Sequence, residues 1–201
     1  MAQAETPRRS YRMAARARAT EATRDRILDA AVEAFWSAPS TEIALEDVAA
    51  RAGVSTRTVL RHFDTKQGLF DAAVQRERDR VVTQRDAATP GDVPGAVRIL
   101  LDHYEEMGDR VLRLLAEEQH MPSLREVADI GRAAHRAWCQ RVFAAALSAL
   151  DGVARERRLA QFVAVCDVST WKLLRRDAGL SRRQTEIALI ELLQPLAEVR
   201  P

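Results

Sequence analysis

The chain has 201 residues and a formal net charge of +2, with 47% hydrophobic and 30% charged residues. This composition provides enough apolar material for a core and excludes a wholly disordered chain. No run of about 18 apolar residues is present, which excludes a membrane-spanning helix. The two cysteines, far apart in the sequence, suit a reducing compartment better than a disulfide scaffold. We therefore expect a globular protein of the cytoplasm with no membrane partner.

The first segment of the chain is basic. Residues 1–18 contain five arginines against one acidic residue, Glu5, and show no apolar periodicity. We predict a flexible basic arm over residues 1–19, which ends where a helical pattern begins at Thr20.

Three short helices are predicted after the arm. Apolar residues recur at i, i+3, i+4 and i+7 in two places, which is typical of helices with one buried face. They are Leu28, Ala31, Val32 and Phe35 in the first helix, and Leu45, Val48, Ala49 and Ala52 in the second. Gly53 ends the second helix, and Ser55 is placed to cap a third one.

The rest of the chain is also predicted to be helical, because no alternating β-branched run competes. A fourth helix, capped by Thr65, reaches about Ala87, and residues 89–94 form a linker. The later helices are separated by Gly108 and by residues 151–152, and Ser123 and Ser181 each begin a capping box. Their predicted spans are about 93–107, 109–120, 123–149, 154–177 and one helix from 181. The chain is thus all-α, with about nine helices.

Residues 45–63 carry the functional signal. A small residue, Ala49, allows two helices to cross closely, Gly53 takes the positive φ of the turn, and Val59 packs the second helix onto the first. This is the geometry of a helix-turn-helix, whose second helix leaves its outer face free. Arg57 and Arg61 are four residues apart and share that face.

The residues of this region resemble the DNA-binding domain of the tetracycline-repressor (TetR) family. The resemblance covers about residues 20–72 and rests on four segments: ILDAAVEAF (27–35), LEDVAARAGVS (45–55), TVLRHF (58–63) and KQGLF (66–70). It implies a homodimer that binds double-stranded operator DNA through the helix 55–63 in the major groove.

The resemblance also implies roles for individual side chains. Thr56 and Arg57 fall where base edges are contacted, and Thr58, His62 and Lys66 where phosphates are held. The full set of predicted DNA-binding residues is Arg51, Ser55, Thr56, Arg57, Thr58, Leu60, Arg61, His62 and Lys66. The basic arm is then either a solvated tail or a segment that reaches DNA.

Two positions depart from the family's pattern. Leu60 replaces a frequent tyrosine and has no hydroxyl to hydrogen-bond with DNA, although it can contact a thymine methyl group. Ala44 replaces a Thr or Ser cap, which leaves the second helix weakly capped and puts that phosphate contact in doubt.

The second half of the chain resembles the family less, and its expected roles are dimerisation and ligand binding. The last two helices are apolar on more than one face, so part of that surface needs a partner. The predicted dimer residues are Leu159, Phe162, Cys166, Thr170, Leu173, Ile187, Ile190, Leu193 and Ala197. Candidate residues of a pocket for an unknown small-molecule effector are His103, Tyr104, Met107, Trp138, Phe143, Phe162 and Trp171.

The sequence contains no motif of catalysis. There is no Gly-rich phosphate loop or nucleophile elbow, and His135 and Cys139 lack the second pair of ligands that a metal site needs. We therefore predict no enzyme activity, no cofactor and no metal. The hypothesis is a ligand-responsive repressor with a DNA-binding domain at 20–66 and a regulatory domain at 67–201. Two alternatives remain open: an activator of the same type, and a helical ligand-binding or scaffold protein that does not bind DNA.

Overall fold

The computed structural model of the chain describes residues 7–37, 43–119 and 122–198. Within these ranges all regular structure is helical, which confirms the predicted class and adds one helix to the expected nine. In chain order the helices are α1 (Pro7–Ser37), α2 (Leu45–Ala52), α3 (Thr56–Phe63), α4 (Lys66–Asp86), α5 (Val93–Glu117), α6 (Pro122–Val142), α7 (Ala144–Ser148), α8 (Gly152–Val165), α9 (Val168–Lys172), a π-helical turn (Leu173–Asp177) and α10 (Arg182–Ala197).

The chain divides into two compact units. We call them the first unit (Met1–Glu77) and the second unit (Arg78–Pro201). Helix α4 begins in the first unit and ends in the second, so the boundary falls inside a continuous helix. None of the helices in the described ranges has a stretch both long enough and apolar enough to cross a lipid bilayer.

The first helix begins earlier than the sequence predicted. Residues 7–19, predicted as part of a flexible arm, are helical and continuous with the rest of α1, and residues 1–6 of that arm lie outside the described residues. The side chains at 13–22 are all exposed, so this part of the helix has no packing to hold it. Alanine and arginine are among the best helix formers, and extending a helix costs far less than nucleating one.

The core of the first unit is small and built from four helices. The predicted inward residues Leu28, Ala31, Val48 and Val59 are all buried there, together with Phe63. The rings of Phe35 and Phe70 add an edge-to-face contact, with centroids 4.8 Å apart.

The second unit has a larger core, and Trp171 is the largest of its fully buried side chains. The predicted break at Gly108 is wrong, because α5 continues through it. A Cβ atom at this position would lie only 2.5 Å from Cζ3 of Trp171. The glycine is therefore needed for close approach of the indole and not to end the helix.

Two predicted long helices are each interrupted in the structure. The predicted helix 123–149 begins at Pro122, which puts Ser123 inside the first turn rather than before it, and breaks after Val142 at the buried Phe143. The predicted helix 154–177 breaks after Val165, because the Asp167 carboxylate accepts a hydrogen bond from the Ser169 amide (2.8 Å) and caps α9.

The predicted start of the last helix is confirmed. Gly179 has a positive φ of 67°, as expected for a left-handed helix end. Ser181 and Gln184 then form a reciprocal capping box at the start of α10.

Candidate nucleic-acid interface

Helix α3 has one buried and one exposed face. Val59 and Phe63 point into the first unit's core, with exposed fractions of 0% and 6%. Arg57 and Arg61 are exposed, and Leu60 is 38% exposed between them. The helix therefore presents a basic surface with one apolar side chain at its centre.

The start of α3 is fixed by local hydrogen bonds. The Thr58 amide donates to Ser55 Oγ (3.2 Å), and the hydroxyls of Ser55 and Thr58 lie 3.0 Å apart. Gly53 takes a φ of 65°, and the Val54 amide donates to the Ala49 carbonyl (2.9 Å), which turns the chain between α2 and α3. The local signals in the sequence thus determine the angle at which α3 is presented.

Four basic residues near α3 have no acidic partner. Arg51, Arg57, Arg61 and Lys66 are all exposed, and none forms an ion pair with a carboxylate in the part of the chain that the structure describes. Their charges remain available to an external anion. A row of phosphates at a DNA groove is such a partner.

The residues predicted to hold phosphates lie at two helix starts and along α3. Lys66 is the first residue of α4, where Thr65 Oγ1 accepts the Gly68 amide (2.9 Å). Thr56, Thr58 and His62 are half-buried. Lys66 thus lies at the N-terminus of a helix, where the helix dipole also favours an anion such as phosphate.

The two departures from the family's pattern have different consequences. Leu60 is exposed on the outer face of α3 and is free to meet an apolar group. Ala44 stands before α2 with no side-chain hydrogen bond to the first turn, so the weak cap expected there is observed.

The candidate pocket residues are brought together by the structure in a packed core. All seven are buried, and Phe143 stacks on Phe162 with centroids 4.0 Å apart. The Tyr104 hydroxyl donates to the Cys166 carbonyl (3.0 Å), and Trp138 Nε1 donates to the Arg85 carbonyl (3.0 Å). His103 differs, because its Nδ1 has no partner among the described residues, and burial lowers its pKa to about 3.

Sequence reasoning missed one residue of this core, Arg85. It is only 8% exposed although it carries a full charge. The signal in the sequence was its position four residues after Val81, which puts the two side chains on one face of α4.

The predicted dimer residues fall into three groups by their exposure. Leu159, Phe162, Cys166 and Leu193 are wrong as contact residues, because they point inward and are at most 1% exposed within a single chain. Leu173 and Ile187 are exposed by 58% and 48%. Thr170, Ile190 and Ala197 are half-buried. The sequence missed Leu192, which is 48% exposed on α10.

His135 and Cys139 are close, with Cys139 Sγ 3.9 Å from His135 Nε2. Among the described residues, no three His, Cys, Asp or Glu side chains are grouped so that they could hold a metal ion.

The comparisons with known proteins agree with the helix-turn-helix geometry of α2 and α3. Residues 27–73 match the family described as bacterial regulatory proteins, tetR family. A helix-turn-helix-type transcriptional regulator of Mycobacterium tuberculosis (strain ATCC 25618 / H37Rv) is 42% identical over 65 residues, which are 32% of this chain and 32% of that protein. The match to this relative thus spans about a third of its length.

Two further similarities extend beyond the first unit. The helix-turn-helix-type transcriptional repressor LfrR of Mycolicibacterium smegmatis is 33% identical over 117 residues, 56% of this chain and 61% of that protein. The crystal structure of a tetR-family transcriptional regulator from Streptomyces coelicolor superposes with a TM-score of 0.65 at 20% identity, covering 88% of this chain and 82% of that one. The latter shows a shared fold over both units. These relatives are named as transcriptional regulators or repressors, which is the class of protein that the sequence predicted.

Proposed function

We propose that this chain is a homodimeric repressor of the tetR type, which binds a near-palindromic operator and is released by a small-molecule effector. The match of residues 27–73 to the tetR family of bacterial regulatory proteins supports the proposal. The observation that carries the proposal is the set of four exposed basic residues around α3 without acidic partners. The name of the relative LfrR supports repression over activation. The protein would act in the cytoplasm, where it meets chromosomal DNA.

Each face of α3 has a distinct task in this proposal. The buried Val59 and Phe63 anchor the helix, while Arg57 contacts a base edge in the major groove. Lys66 and Thr58 hold phosphates on either side, and these contacts set the register of the helix on the duplex. The remaining predicted residues, Arg51, Ser55, Thr56, Leu60, Arg61 and His62, complete the interface.

A dimer fits both the operator and the surface of the second unit. Two recognition helices about 34–36 Å apart read two half-sites of a palindrome. Helix α10 buries Leu189 and Leu193 but leaves Ile187 and Leu192 each 48% exposed, so it is apolar on more than its inward side. We assign this surplus, together with Leu173, to contact with a second copy of the chain.

The effector acts by preferring one state of the protein over another. A small molecule bound in the second unit releases DNA only if it binds the DNA-free state more tightly. Helix α4 starts at Lys66 in the first unit and ends in the second unit. It is therefore the part of the chain that links effector binding to DNA release.

The test is selection of duplexes from a random pool by the purified full chain. We expect a near-palindromic sequence to be enriched, and the double variant Arg57→Ala/Arg61→Ala to lose that enrichment. The control is Arg136→Ala, since Arg136 is a basic residue of the second unit already paired with Glu156 (2.6 Å). If no sequence is enriched, or if the double variant enriches the same one, the proposal is wrong and the non-DNA-binding alternative stands.

Oligomeric state is tested separately by sedimentation. We expect the wild type to sediment as a dimer and Ile187→Glu/Leu192→Glu as a monomer. Val82→Glu provides a control, because Val82 is 40% exposed on a different helix, α4. A monomeric wild type would contradict the homodimer.

A further inference from the structure

The second unit buries an arginine without an acidic partner. Arg85, near the end of α4, is 8% exposed, and it forms no ion pair with a carboxylate among the described residues. Its neighbour Asp86 is paired instead with Arg141 (3.1 Å). A buried charge without a counterion is costly, so proteins rarely retain one that has no task.

The Nη1 of Arg85 is hydrogen-bonded within the described residues, whereas its Nε is not. Arg85 Nη1 lies 2.9 Å from His135 Nδ1, while His135 Nε2 lies 3.1 Å from the Val163 carbonyl. Because arginine only donates, Nδ1 is the acceptor in this contact and Nε2 donates to the carbonyl. The buried Nε of Arg85 has no partner among the described residues. That Nε lies on the edge of the guanidinium that offers a two-donor fork to a carboxylate.

Aromatic rings flank the same guanidinium. Its Cζ lies 5.4 Å from the ring centroid of Tyr104 and 5.3 Å from that of Trp138. Ring faces attract a cation but accept no in-plane hydrogen bond, so they leave the donor edge unoccupied. Nearby, His103 is 5% exposed with an unpartnered Nδ1, and its neutral ring adds no counter-charge.

The Cys139 thiol, a nearby group that can carry a negative charge, forms no hydrogen bond with Arg85 among the described residues. A hydrogen bond with the Cys166 thiol lowers the pKa of Cys139 below its usual value, and His135 and Arg85 act in the same direction. Its Sγ contacts His135 Nε2 (3.9 Å), on the ring edge away from the nitrogen that Arg85 binds. The imidazole therefore stands between the thiol and the guanidinium.

We propose that Arg85 is the anchor of an anion site, and that the effector of the second unit is a small organic carboxylate whose apolar part lies against Tyr104 and Trp138. The proposal rests on the proposed function, because it assigns a chemical class to the effector named there. The carboxylate would take the Nε edge of Arg85, and the unpartnered Nδ1 of His103 provides a further polar contact for a protonated group of the ligand.

This site also suggests how the ligand reaches α4. The end of α4 is held to α6 by polar contacts, in which Trp138 Nε1 (3.0 Å) and Arg141 Nη2 (3.0 Å) both donate to the Arg85 carbonyl. A carboxylate on the Nε edge of Arg85 would add a second partner to the guanidinium whose Nη1 already contacts His135. It therefore acts on the residue where α4 is attached.

The experiment measures binding of two carboxylates and their primary amides to the full chain by calorimetry in low-chloride buffer. The pairs are benzoate with benzamide, and hexanoate with hexanamide, which differ in charge and little in shape. For the wild type we expect saturable carboxylate binding at least tenfold tighter than that of the matching amide. Arg85→Met should lose this preference, and Arg85→Lys should retain part of it because it keeps the charge.

The matched control is Arg136→Met, an exposed arginine of α6 that should leave binding unchanged. Thermal unfolding followed by circular dichroism establishes that each variant folds. If Arg85→Met does not fold, the carboxylate preference of Arg85→Lys is compared with that of the wild type instead. If neither carboxylate binds the wild type more tightly than its amide, or if Arg85→Met keeps the preference, the proposal is overturned. Duplex selection without added carboxylate tests the regulator separately, so the two failures are distinguishable.

Discussion

The two units use their basic residues in opposite ways. In the first unit, Arg51, Arg57, Arg61 and Lys66 are exposed and form no ion pair with a described carboxylate. In the second unit most arginines are paired within the chain, as Arg175 with Glu105 (2.6 Å), Arg176 with Asp109 (2.9 Å) and Arg182 with Asp102 (2.5 Å). A net charge of +2 conceals this difference. The location of unpaired cations, and not their number, indicates where an external anion binds.

The cores of the two units also differ in the kinds of side chain that they bury. The first unit buries mostly alanine and other aliphatic side chains, with Phe63 as its one fully inward ring. The second unit buries several rings around Trp171 and Phe162, and it contains the buried charge of Arg85. The first unit is thus a small scaffold that presents the exposed helix α3. The second unit has its buried arginine and aromatic rings in the core.

The largest expected effect is on the core of the second unit. Trp171→Ala should lower the free energy of unfolding by about 3–5 kcal/mol, because removal of a fully buried indole leaves a cavity over Gly108. Urea denaturation followed by circular dichroism measures this. Val153→Ala, at a side chain of α8 that is 79% exposed, provides the control and should cost under about 0.5 kcal/mol. Equal effects of the two changes would contradict the assignment of Trp171 to the core.

The next effect tests the internal pairing of arginine. Glu105→Gln should cost about 1–3 kcal/mol, since Glu105 accepts two hydrogen bonds from Arg175, at 2.6 and 3.0 Å. These bonds lower the pKa of Glu105 in the folded protein. The wild type's advantage is therefore full above the ordinary pKa of about 4.5 and is lost as pH falls below it. Denaturation of both proteins from pH 7 to pH 3 measures the difference, and a gap that is constant with pH would rule out the ion pair.

A comparable effect is expected at one base pair of each half-site. Arg57→Ala should reduce discrimination there by about 1–3 kcal/mol, because a base-edge contact is removed. Competition binding with duplexes changed one base pair at a time measures it. Arg182→Ala, which removes an arginine that is internally paired, should leave discrimination intact. Unchanged preference in Arg57→Ala would show that this residue does not contact a base.

The smallest effect concerns Lys66. Lys66→Ala should weaken binding to all duplexes alike and reduce the slope of log affinity against log salt by about 1 per half-site, since one phosphate contact is lost. Titrations between about 50 and 200 mM salt provide the slope, because an affinity that depends on several phosphate contacts falls steeply over this range. A loss confined to one sequence would mean that Lys66 contacts a base instead.

Local signals explain what the sequence predicted well. Gly53, Ser55, Thr65 and Gly179 determine turns and caps through contacts within a few residues, and each behaves as predicted. The predicted inward faces of α2 and α3 are also observed. Val48 lies at helical spacing with Ala52 in α2, Val59 lies four residues before Phe63 in α3, and all four side chains are buried in the same core.

The errors arise where distant contacts decide the outcome. Gly108 was interpreted as a helix end because its real partner, Trp171, lies 63 positions further along the chain. Leu159 and Leu193 were assigned to a partner's surface, since periodicity marks a residue as apolar but not which of two apolar surroundings it enters. Arg85 was overlooked because charge alone predicts exposure, and its burial depends on the rings of Tyr104 and Trp138.

The scarcity of lysine has a practical consequence for following DNA binding. The chain has only two lysines, Lys66 and Lys172, and the amine of Lys172 is engaged by both carboxylate oxygens of Asp177, at 2.9 and 2.7 Å. Lys66 is exposed at the start of α4. An amine-specific acylating reagent used with mass spectrometry would therefore report on one point of the candidate interface, and bound duplex would be recorded as protection of a single side chain.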